Sequence, residues 1–69
     1  MTTASNGIIR DDATPAIAVL TEAPDGIMID IHRAEDHYRT GRAPCERFAT
    51  APDVFYATHI AATLLQHHC

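Results

Sequence analysis

The chain has no lysine and no tryptophan, a single serine (Ser5), two cysteines, three glycines and four aromatic residues. Each shortage excludes something. Without lysine, all the positive charge rests on five arginines, set against nine carboxylates for a net charge of −4. Binding to nucleic acid or to an anionic membrane surface requires cations that neutralise phosphates, so neither is expected as a direct partner. With Ser5 alone in a small polar stretch, a serine nucleophile is not expected, and Cys45 beside His37 and Glu46 is a triplet that any short chain offers. The three glycines stand apart and form no phosphate cradle. No apolar run approaches the ~20 residues that span a bilayer. MTTASNG has neither the basic start nor the apolar run of a secretion leader, so a cytoplasmic protein with reduced thiols is the expectation. A Cys45–Cys69 bridge is the alternative.

What is present suits a small globular domain: 46% of the 69 residues are hydrophobic and 20% charged. A chain of this size buries only ~60% of its unfolded surface, which favours help from a disulfide, a metal or a second copy. Residues 1–6 are small and polar and read as a flexible terminus. Residues 7–69 then form one domain.

The strongest local pattern is a β-hairpin. Residues 16–22 and 27–32 are rich in apolar and β-branched side chains, and Ala23-Pro24-Asp25-Gly26 between them suits a tight turn. The turn sets Glu22 opposite Ile27, Leu20 opposite Ile29 and Ala18 opposite Ile31. Ala18, Leu20, Ile27, Ile29 and Ile31 then share one apolar face, which is expected to meet a helix. The other face carries Ile17, Val19 and Met28 among polar residues, a patch with no cover in sight. Residues 7–10, with Ile8-Ile9, are a candidate third edge strand. Residues 33–41 read as a short helix or a loop, and Pro44 suits the start of a short helix over 43–48.

The stretch Thr50–Cys69 has a helical period, with a helix over about 52–67. Thr50 is the expected N-cap, with Pro52 and Asp53 in the first turn. Val54, Ala57, Ala61, Leu64, Leu65 and His68 fall on one side. Phe55, Ala62 and Cys69 widen that side one way and Ile60 the other, while Tyr56, His59, Thr63, Gln66 and His67 face water. An arc this wide exceeds the ~100° stripe that one sheet covers. A second apolar neighbour is therefore expected, either the segment containing Phe48 or the same helix of a second copy. The fold class is α+β, a hairpin packed against a C-terminal helix.

His32, His37, Cys45, His59, His67, His68 and Cys69 are ligand types for zinc. Their spacing matches no finger, and three adjacent residues cannot face one ion from a regular helix, so no metal and no cofactor are assigned. Arg33, Tyr38, Arg39 and Arg42 lie in the most polar segment and belong to residue types favoured at binding hot spots.

The layout of Thr14–Ile31 and Thr50–His68, a tight hairpin and an alanine-rich helix in a short acidic chain, resembles accessory proteins of bacteriophages and mobile elements. That resemblance implies an inhibitor of a host protein, anti-CRISPR proteins among them, which acts by occupying a functional surface.

The expected function is a non-enzymatic, homodimeric interaction protein that binds and modulates a larger protein. Ile17, Val19, Met28, Arg33, Tyr38, Arg39 and Arg42 are the candidate partner surface. Val54, Ala57, Ala61 and Leu64 are the candidate dimer surface. A zinc-stabilised domain and a dimeric transcriptional regulator are the alternatives.

Overall fold

Five antiparallel strands follow one another in chain order across a single sheet, β1-β2-β3-β4-β5. The computed structural model describes residues 2–66, with the backbone alone for 49–51. The elements are β1 (Thr2–Ser5), β2 (Ile8–Asp11), β3 (Thr14–Ala23), β4 (Gly26–His32), α1 (Glu35–Arg39), β5 (Glu46–Ala51) and α2 (Val54–Leu64). The α+β class, the hairpin and the C-terminal helix are as the sequence predicts.

The β3–β4 register is the predicted one, with Glu22 opposite Ile27, Leu20 opposite Ile29 and Ala18 opposite Ile31. Pro24 and Asp25 form the turn, and Gly26 follows at φ 147°, a conformation that side chains disfavour. The candidate third strand is real and pairs with β3 through Ile9 opposite Ala18, but it is not an edge strand, because β1 pairs along its other side.

Two segments differ from expectation. Thr2–Ser5 is a strand paired with β2, not a loose terminus. Its cause is Asn6-Gly7, where both residues adopt positive φ (53° and 77°). Two successive positive φ values match the twist of a tight antiparallel hairpin. Gly7 is also packed closely: its carbonyl accepts from Leu20 N at 2.7 Å, and a Cβ there would meet Leu20 O at 3.2 Å.

The second difference is β5, where a short helix is expected. Phe48 stands opposite Ile29, and Arg47 stands opposite Asp30, where Arg47 Nε donates to Asp30 Oδ1 at 2.8 Å. Alternation across a strand sends Phe48 to the core and Arg47 to the far side. Tertiary pairing outweighs the weak local helix preference.

The core lies between the sheet and α2. Ile9, Ala16, Ala18, Ile29 and Ile31 are buried against Ala57, Ala61 and Leu65, with Leu20, Ile27, Phe48, Ile60 and Leu64 around them. Ala57, Ala61 and Leu65 recur at four-residue spacing and form one stripe. The alanines let the helix backbone approach the sheet. The N-cap is Asp53 rather than Thr50, which lies in β5. Tyr56 N donates to Asp53 Oδ1 at 2.8 Å.

Candidate functional site

Strand alternation separates two faces of the sheet, and each carries a helix. On the face away from α2, Ile17 lies between Arg10 of β2 and His32 of β4. Helix α1 closes over this end. Arg10 Nε donates to Glu35 Oε1 at 2.8 Å, and Arg10 Nη2 donates to Oε2 at 3.0 Å. The Tyr38 ring packs at a tilt against the buried His32 ring, centroids 5.2 Å apart. Ile17 is accordingly 2% exposed, and Val19, between Ile8 and Asp30, is 9% exposed. The expected open patch on this face is therefore corrected. Ile17 and Val19 are buried within the chain, and Met28 is half-buried.

The remaining expected partner residues are on the surface. Arg33, Tyr38, Arg39 and Arg42 are exposed on or beside α1. Arg39 Nη2 donates to Glu35 Oε2 at 2.8 Å, one helical turn away. Arg42 N donates to His37 O at 3.0 Å, which folds residue 42 back onto the end of α1. Glu35 thus meets two guanidinium groups. The hydrogen bond from Arg10, with the nearby positive charge, holds its carboxyl below the ordinary carboxylate value.

The expected dimer surface is also corrected. Ala57 and Ala61 are fully buried in the chain's own core and have no surface left for a second copy. Leu64 is half-buried against the same core. Val54 alone of that set is exposed.

Next to Val54 lies a cluster that the sequence reading passes over. Val54, Phe55 and Tyr56 form the first turn of α2 and are 51%, 85% and 53% exposed. At 100° per residue, Phe55 and Tyr56 lie roughly 120° and 140° from the middle of the Ala57–Ala61–Leu65 stripe. They point away from the sheet, while Val54 lies near the stripe but in the first turn. Phe55 is counted with the apolar side when the whole arc is taken as buried. The small alanines, which seat the helix closest to the sheet, are the signal that identifies the true buried stripe.

Among the described residues, no group of three His, Cys, Asp or Glu side chains is placed to hold a metal ion, and there is no pocket. His67, His68 and Cys69 lie outside the described residues. His32 is buried, and its Nδ1 has no hydrogen-bond partner among the described residues. Cys45 is disulfide-bonded, which corrects the expectation of a reduced thiol at that position. That expectation rests on compartment, which carries no geometry. Cys45 N donates to Ile31 O at 2.8 Å, and Sγ lies 3.1 Å from the same oxygen, so the residue is held firmly at the entry to β5.

Among the described residues, no helix is long and apolar enough to cross a membrane. No family model, curated protein or solved structure matches this chain.

Proposed function

We propose that this chain is a non-enzymatic interaction module that docks the first turn of α2 onto a larger protein and so inhibits or modulates it. One observation supports the reading most: three consecutive large apolar side chains, Val54, Phe55 and Tyr56, stand in water on a helix whose stripe is otherwise buried. Single exposed apolar residues are ordinary. Two neighbouring aromatics that point away from the sheet, on a turn ordered by the Asp53 cap, are residue types that binding hot spots favour. Ordering before contact also lowers the entropy that binding must overcome. The resemblance to phage accessory proteins points to a host protein as the class of target.

A quantitative pull-down from bacterial lysate, comparing the wild-type chain with Phe55→Ser, tests the proposal. A protein captured by the wild type and bound at least about tenfold more weakly by the variant is expected, on the scale of ~1.4 kcal/mol. Equal capture by both chains would sink it. The homodimer enters this reading only through Val54 and its aromatic neighbours. Light scattering checks it: a dimer that Phe55→Ser leaves intact would place self-association elsewhere.

A further inference from the structure

We infer that the α1 segment, residues 33–42, is a second docking surface, and that its partner is an acidic protein segment presenting clustered carboxylates. The surface lies on the sheet face opposite α2, so it stands or falls independently of the α2 turn.

Charge is unevenly distributed along the chain. Residues 33–42 hold three arginines and two carboxylates, while the rest of the chain holds two arginines and seven carboxylates. The segment is locally cationic on an acidic protein. One of its two carboxylates, Glu35, is turned inward and paired with Arg10 and Arg39. Arg33 and Arg42 are exposed and make no ion pair among the described residues. Arg39, although paired, keeps 69% of its side chain exposed.

The segment is also ordered. A polar segment of this composition has few apolar contacts to fix it. Here it is fixed by the two-pronged Arg10–Glu35 pair, by Tyr38 on His32, and by the turn that returns Arg42 to His37. The guanidinium fork matches a carboxylate through two parallel hydrogen bonds. Tyr38, 39% exposed, adds an aromatic edge among the arginines, the pairing enriched at hot spots.

Size and screening favour a short carboxylate segment over nucleic-acid phosphate. The molecule measures 28 × 26 × 21 Å, two to three screening lengths of ~10 Å at 0.1 M salt. A short acidic segment on α1 meets the arginines and is screened from the remote carboxylates. A long polyanion crossing the molecule meets those carboxylates as well.

The test is fluorescence anisotropy of the intact chain with a labelled ten-residue peptide of alternating glutamate and glycine at low salt. Binding is expected, weakening as salt rises, and weakening at least about tenfold in the Arg33→Ala/Arg42→Ala double variant. Both arginines are exposed and outside the core, so circular dichroism should show that variant to be folded. Phe55→Ser should bind the peptide as the wild type does. Four results would overturn the inference: no binding at low salt, affinity unchanged in the double variant, equal affinity for an oligolysine peptide, or tighter binding of oligothymidylate. Light scattering gives a fifth: a dimer that the double variant dissociates would make the occupant a second copy.

Discussion

Asp53 and Phe55 are two positions apart and do opposite work. Asp53 satisfies an amide at the start of α2, and its carboxylate sits where the helix dipole favours negative charge. Phe55 touches little of its own chain. Asp53→Ala should therefore lower stability by ~1 kcal/mol, whereas Phe55→Ser should change it by less than about 0.5 kcal/mol. Urea unfolding of both variants checks the pair. A large loss in Phe55→Ser would mean that the side chain is packed, and the α2 docking surface would lose its basis. Gly7 shows a different kind of residue-level constraint. Its positive φ and the close Leu20 carbonyl leave no room for a side chain without strain, so its conformation, not its polarity, makes the β1–β2 turn.

At the scale of elements, Asp11 and Glu35 fasten two junctions outside the core through their carboxylates. Asp11 Oδ1 accepts from Ala13 N at 2.8 Å, and Oδ2 accepts from Thr2 Oγ1 at 3.3 Å. This one side chain thus joins β1 to the β2–β3 turn. Glu35 fastens α1 to β2 through Arg10. The Ala13 amide chiefly holds the Asp11 carboxyl below its ordinary value of 3.8, and the Arg10 hydrogen bond does the same for Glu35 relative to 4.5. In the unfolded chain both return to ordinary values, so the unfolded state binds more protons across that interval. Their contribution is complete above about pH 4.5, the higher of the two ordinary values, and is lost as pH falls through the lower, folded values. Melting temperature should thus fall on acidification below pH 4.5, and less steeply in Asp11→Asn. An unchanged acid limb in that variant would contradict this account.

The elements also show what the sequence makes legible. The β3–β4 hairpin is readable because alternation and turn chemistry agree over 16–32. The core face follows from it residue by residue. The β1–β2 hairpin is equally readable in Asn6-Gly7, but a short run of small polar residues, Thr2–Ser5, has no hydrophobic alternation to confirm it. β5 is not readable locally, because what makes it a strand is Ile29 and Asp30 of another strand. For the surfaces, Arg33, Tyr38, Arg39 and Arg42 follow from residue type and polarity alone. Ile17 and Val19 are misplaced because their cover, α1, is held by Arg10 and His32, contacts between distant positions. Phe55 is missed because a helical wheel shows which residues are apolar, not which of them the alanines bring to the sheet.

For the whole molecule, the consequence of the strand order β1-β2-β3-β4-β5 is kinetic. Every strand pairs with its neighbour in sequence, so the sheet assembles by closing short loops, which is fast. Helix α2 is the exception. Its buried end, Leu65, shares the core with Ile9, across nearly the whole chain, and that loop closure is the slowest to be repaid. The sheet should form first, leaving Ile9, Ala18, Ile29 and Ile31 bare until the helix arrives. Leu65→Ala, a core truncation worth ~2–5 kcal/mol, should then act mainly on the unfolding rate and leave the folding rate nearly unchanged. A chevron in which the folding arm takes the larger share would place the helix in the nucleus instead. During synthesis the same order has a cost: the sheet leaves the ribosome before the segment that covers it, and its apolar face must wait exposed.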